Sequence, residues 1–140
     1  MSLPLPTVGY MFDPWATVIE LGIDVHTIPL ERLSGCTDGT TIWLDTHLTT
    51  TERLCVLTHE LVHLSRGHDG HQPPSVEESV RAEAARLLIP WDTLAAHAQS
   101  QASVYDLAHE LGVTPRTLGD RIRYASAEER CLLQGASVMG

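Results

Sequence analysis

Lysine is absent from this chain of 140 residues, aromatic residues make up only 5% of it, and phenylalanine occurs once. Nowhere do 18 uncharged apolar residues run together, which excludes a membrane-spanning helix of ordinary length. The opening MSLPLPTVGYMFDPW has neither the basic start nor the apolar run of a secretion signal, so the chain reads as soluble and cytoplasmic. The three cysteines, Cys36, Cys55 and Cys131, form no CxxC pair, which argues against both a disulfide framework and a thiolate zinc site. Positive charge is scarce as well. Nine arginines against 18 acids leave a formal charge of −9, and a surface of that sign does not favour non-specific binding to nucleic acid or anionic lipid.

What is present suffices for a folded domain. The chain is 43% apolar and 19% charged, too mixed for a disordered acidic tail, and its length suits one compact domain with a small appendage. The charge is uneven: residues 1–103 carry 5 Arg and 13 acids, residues 104–140 carry 4 Arg and 5 acids. Eight histidines are the notable surplus, because imidazole is the commonest side chain for metal and proton chemistry.

Turn signals divide the chain into a mixed front end and a helical remainder. Asp13-Pro14 opens a short helix that Gly22 closes, and Asp24 to Pro29 reads as a strand. Leu33 to Cys36 and Thr40 to Leu44 flank the turn dipeptide Asp38-Gly39, which predicts a hairpin with TTIWL as its second strand. Thr49 with Glu52 has the capping-box spacing, and the helix it starts runs through Arg66 until Gly67. Ser75 with Glu78 repeats the pattern for a helix to Leu88, after a Gly/Pro-rich loop over 67–74. Helical pieces follow over about 91–99, 104–111 and 115–124; Ser126 with Glu129 caps a last short helix, and the final GASVMG is expected to fray.

On the central helix stands His59-Glu60-Leu61-Val62-His63, an HExxH motif. Histidines at i and i+4 lie one above the other on a helix face, so both rings can reach one Zn²⁺, while the Glu between them points to where a water would sit. In a shuffled chain of this composition the motif would arise roughly 3% of the time, so its setting matters. Leu54, Leu57, Leu61 and Leu64 lie opposite the histidine edge, giving the helix a core side and a metal side. A second HEL at His109-Glu110-Leu111 is followed by Val113 where the second histidine would have to be.

A catalytic zinc needs a third protein ligand and one open position. The extended pattern HExxHxxGxxH is missing, because Arg66 and Asp69 stand where Gly and His are required. His68 or His71 can approach from the loop; Glu77, Glu78 and Glu83 on the next helix are the better placed candidates.

These residues resemble the ImmA/IrrE-type metallopeptidases, whose pattern is a strand, an HELxH helix and a helix of the form ExxxxxxAAxLLMP. Here the three stand as TTIWL, THELVHL and the run from Glu77 through Ala84-Ala85 and Leu87-Leu88 to Pro90. The resemblance covers about residues 40–124 and implies that Glu77 is the third zinc ligand, with Glu78 as the alternative. Where the family carries Ala-Asn and Phe inside the third element, this chain has Val80, Arg81 and Glu83.

The expected fold is α+β: a small N-terminal antiparallel sheet packed on a mainly helical zincin-like domain over 1–100, with a helix-turn-helix-like segment over 101–140. In that segment Leu107, Ala108, Leu111, Leu118 and Ile122 point inward. Arg116, Arg121 and Arg123 on its second helix are its possible contacts to nucleic acid or a partner, although that helix has no Asn or Gln for adenine readout, so packing or protein binding is favoured over DNA.

The expected function is that of a gluzincin-type endopeptidase with one Zn²⁺ per chain, held by His59, His63 and Glu77, with Glu60 as the general base. TTIWL, through Thr41, Ile42 and Trp43, would bind an extended substrate if it forms a sheet edge above the cleft. The resemblance implies the substrate class, a helix-turn-helix transcriptional repressor of a phage, mobile element or stress regulon. The rival readings are a repressor-binding module without proteolysis and a DNA-binding regulator.

Overall fold

The computed structural model describes residues 12–139, so most of the opening segment searched for a secretion signal lies outside the described residues. Asp13 accepts hydrogen bonds from the N–H groups of Trp15 and Ala16, Pro14 takes the first helical position, and Gly22 at φ 67° ends α1 (Pro14–Leu21). Strands β1 (Asp24–Ile28), β2 (Gly35–Thr37) and β3 (Thr41–Asp45) follow. Between β2 and β3 the expected turn forms: Asp38 accepts from the N–H groups of Thr40 and Thr41, and Gly39 adopts φ 96°.

The sheet is mixed rather than wholly antiparallel. β2 pairs antiparallel to β3, but β1 lies parallel on its other side, giving the order β1-β3-β2. TTIWL is therefore the central strand. Ile42 and Leu44 are fully buried on one face, as suits a strand flanked on both sides, while Trp43 on the other face stacks on His26 at 6.4 Å. With both backbone edges of β3 engaged, Thr41, Ile42 and Trp43 are closed to an added strand, which corrects the expectation from sequence. The outer edge of β2 has no strand partner among the described residues.

Helix α2 (Thr50–Ser65) starts at the reciprocal Thr49–Glu52 capping box. Its buried Leu57, Leu61 and Leu64 meet Ile42 and Leu44 of the sheet and Val18 of α1. Gly67 at φ 76° turns the chain away, and α3 (Pro74–Leu88) returns along α2 with Val80 and Ala84 packed on Val62. The Ser75 cap does not form. Pro74 occupies the first helical position, where its fixed φ fits and its missing N–H leaves no orphan donor, so Ser75 lies one residue inside the helix.

Helices α4 (Trp91–Ala96), α5 (Val104–Leu111), α6 (Pro115–Arg123) and α7 (Ala127–Met139) complete the chain. Gly112 at φ 72° and the Thr114 cap make the α5–α6 turn, and a Ser126–Glu129 capping box starts α7. The backbone of α7 stays helical through Met139, longer than the short, fraying helix expected; Gly140 is outside the described residues. Ala108, Val113 and Leu118 share a buried cluster with Cys55 of α2 and with Ile89 and Leu94, so the α5–α6 pair packs into the same core as the elements before it. Ile122, expected inward, is 44% exposed.

Candidate metal centre

The metal side of α2 faces a cleft of about 720 Å³ walled by β2, by α3 and by the start of α6. His59 and His63, one helical turn apart, have ring centroids 4.9 Å from each other. From α3, Oε1 of Glu77 reaches both: it lies 2.9 Å from Nε2 of His63 and 3.4 Å from Nε2 of His59. All three ligand atoms fall within 4.8 Å of one another, close enough to hold one metal ion. Burial pushes both imidazoles below their ordinary pKa, with Glu77 opposing, and so favours the neutral rings that metal ligation requires.

Glu60, between the histidines, is 6% exposed, and its Oε2 has no hydrogen-bond partner. Burial, with the Glu77 carboxylate adding to it, pushes the Glu60 carboxyl up to about 7. An orphaned, buried carboxylate oxygen beside two convergent imidazoles and a carboxylate fits a hydrolytic metal site, because a bound cation and water would satisfy it.

The other sequence candidates separate cleanly. Glu78 is exposed and 3.9 Å from Arg123. Glu83 is tied to Arg66 at 2.6 Å, and Arg66 also donates to the Ser79 hydroxyl at 3.0 Å. His71 lines the cleft, whereas His68 stands behind His63. Two of the departures from the family pattern thus have local partners: Glu83 takes Arg66, and Arg81 forms a two-point pair with Asp120 of α6, at 2.6 and 3.2 Å. Val80 is fully buried against α2.

Sequence reasoning missed the near wall. Gly35, Cys36 and Thr37 of β2 line the cleft, and burial followed by the Glu60 and Asp38 charges raises the Cys36 thiol pKa. A Cβ on Gly35 would sit 2.6 Å from Cγ1 of Val56, 3.1 Å from the Trp43 carbonyl oxygen and 3.4 Å from Cγ of Glu60. The only available signal was a glycine inside a strand, which marks close approach of another element. Gly35→Ala is expected to cost about 1–3 kcal/mol by overpacking against α2; urea denaturation measures it, and a wild-type midpoint would show that β2 can move away.

The three tail arginines part company. Arg121 is 2% exposed: its Nε donates to the Ile89 carbonyl at 2.7 Å, and its two terminal nitrogens grip Glu129 at 2.9 and 2.7 Å. It is therefore withdrawn as a contact for nucleic acid, because a guanidinium with its donors spent in the interior cannot meet a phosphate. Arg123 is exposed and lies 5.3 Å over the Tyr124 ring, and Arg116 is exposed on the cleft wall. No helix among the described residues is long and apolar enough to cross a membrane.

Among curated proteins none matches the chain. The family model described as the IrrE N-terminal-like domain, a peptidase family, matches residues 17–123, which takes in the sheet, the HExxH helix, the Glu77 helix and the α5–α6 pair. The chain belongs to the IrrE N-terminal-like family, and its activity is of the metallopeptidase type.

Proposed function

We propose that this protein is a gluzincin-type zinc endopeptidase that cleaves a helix-turn-helix transcriptional repressor in the cytoplasm. The observation that carries the reading is the approach of His59 Nε2 and His63 Nε2 to one oxygen of Glu77, with the unpartnered Glu60 carboxylate between the histidines on the cleft wall. His59, His63 and Glu77 would hold the Zn²⁺, one per chain, and when bound it supplies Lewis-acid polarisation of the scissile carbonyl and acidifies a water. Glu60 accepts the water's proton and returns it to the leaving amine, a role suited to an unpartnered carboxylate oxygen on the cleft wall between the two histidines.

The free edge of β2, over Gly35–Thr37, lines the same cleft and is the place where an extended substrate segment can add as a strand. The acidic charge of the protein, −9 overall, favours encounter with a basic DNA-binding repressor. The test is incubation of the zinc-loaded protein with the repressor encoded beside it. Discrete fragments that disappear on chelation and return with zinc are expected; tight binding with no fragments would make the protein a non-proteolytic repressor-binding module.

A further inference from the structure

We propose that His68 positions His63 for its metal by exchanging which ring nitrogen of each histidine carries the proton. The inference rests on the metal-centre reading above and concerns the other side of the His63 ring. There Nδ1 of His63 lies 2.9 Å from Nδ1 of His68, while Nε2 of His63 lies 2.9 Å from Oε1 of Glu77. An ionised carboxylate only accepts hydrogen bonds, so without a metal Nε2 of His63 carries the hydrogen and donates it to Glu77. A neutral imidazole then has a bare Nδ1, and the short contact requires His68 to donate from its own Nδ1.

Metal ligation reverses every one of these roles. His63 must present a lone pair at Nε2, so its hydrogen moves to Nδ1, which now donates to His68. His68 must accept at Nδ1 and carry its hydrogen on Nε2. One proton crosses the Nδ1–Nδ1 contact from His68 to His63, the Nε2 proton of His63 leaves to water, and Nε2 of His68 takes one from water, so neither ring changes its net protonation. Imidazole suits position 68 for that reason: a carboxylate there could serve only the metal-bound arrangement, and an ammonium only the metal-free one.

The backbone holds His68 to this task. Gly67 at φ 76° turns the chain, the His68 N–H donates to the His63 carbonyl at 3.0 Å, and the β2–β3 turn lies against the loop, where a Cβ on Gly39 would sit 3.6 Å from the His68 carbonyl oxygen. The ring is thus fixed to the same turn of helix that it supports. Loss of such an outer hydrogen bond to a ligating histidine ordinarily weakens metal binding by about 10–100-fold.

The experiment combines two-bond ¹H–¹⁵N spectra of the full chain labelled in histidine with zinc titrations against a chromophoric chelator. Without metal, His63 is expected as the Nε2–H form and His68 as Nδ1–H; with zinc, both switch. His68→Ala is expected to bind zinc about 10–100-fold more weakly with the fold retained by circular dichroism. His68→Gln, whose amide offers a donor and an acceptor, should recover part of that loss. His68 keeping its Nδ1 proton with zinc bound, or His68→Ala binding as tightly as wild type, overturns the proposal while leaving the metal centre standing. Failure of the wild-type chain to bind zinc overturns both.

Discussion

Glu60→Gln is expected to bind zinc as the wild type does, near one per chain, and to cut at least about 10²–10⁴-fold more slowly. Metal retention follows from the ligand set, since the three atoms that cluster belong to His59, His63 and Glu77. Loss of rate follows because an amide of the same shape cannot take a proton from water. The same substitution has a second consequence in the metal-free protein. Glu60 titrates near 4.5 when unfolded and at about 7 in the fold, so the folded state keeps a proton that the unfolded chain has lost across that window.

Below about pH 4.5 both states are protonated and the site costs nothing. As pH rises through 7 the buried carboxylate must ionise, and stability falls by an amount on the order of 3 kcal/mol. Glu60→Gln without metal should therefore be more stable than metal-free wild type at pH 8 and equal to it at pH 4. Urea denaturation of both proteins at the two pH values measures the difference. A constant difference at both would mean that the Glu60 carboxyl is not strained in the fold, and wild-type cleavage by the variant would remove Glu60 from the mechanism.

The histidine pair of the candidate metal centre was legible in the sequence because it is periodic and local, whereas Glu77, 14 positions beyond His63, was singled out by the family resemblance alone. HExxH needs only one turn of helix, and Leu57, Leu61 and Leu64 on the opposite side say which way that helix faces. Helix starts were legible where a side chain closes the cap, as at Asp13, Thr49 and Ser126, and misread at Ser75, where a proline took the position instead. Sheet order was not legible. A hairpin predicts its own pairing, but the parallel partner of β3 comes from a strand 17 positions earlier, Asp24 opposite Thr41, and nothing local encodes it. That one contact puts TTIWL at the centre of the sheet and leaves β2, which lines the cleft, with an outer edge that has no strand partner among the described residues.

Charged side chains that bind across the fold were the other blind spot. Arg81 and Asp120 are 39 positions apart, and Arg66 and Glu83 are 17 apart; each looks like a solvated surface charge until helix packing brings its partner. Arg121 is the extreme case. Helical spacing from Leu118 allows either Arg121 or Ile122 as the next inward residue, and hydrophobicity alone chooses Ile122. The fold chooses Arg121, because α3 ends beneath it at Ile89 with a carbonyl that the helix leaves without a donor, and because Glu129 supplies the counter-charge.

Arg121→Ala is accordingly expected to destabilise the protein by an amount on the order of 3 kcal/mol, since it leaves a buried carbonyl and a largely covered carboxylate without their donor. Arg116→Ala and Arg123→Ala, both at exposed side chains, should each stay within about 0.5 kcal/mol of wild type. Acid dependence supplies an independent readout. The Arg121 guanidinium, opposed by burial and aided by the Ser126 N–H, holds the Glu129 carboxyl at about 2, against 4.5 in the unfolded chain. The folded pKa is depressed, so this stabilisation is whole above about pH 5 and is lost as pH falls toward 2. Arg121→Ala should remove that part of the acid sensitivity, so the gap in stability between variant and wild type should narrow as pH falls toward 3, leaving the part due to the Ile89 carbonyl. Urea midpoints from pH 3 to 8 test both points. Were Arg121→Ala as stable as Arg116→Ala at pH 7, the guanidinium would not be fastening α6 and α7 to the end of α3, and its removal from the candidate nucleic-acid contacts would have to be reversed.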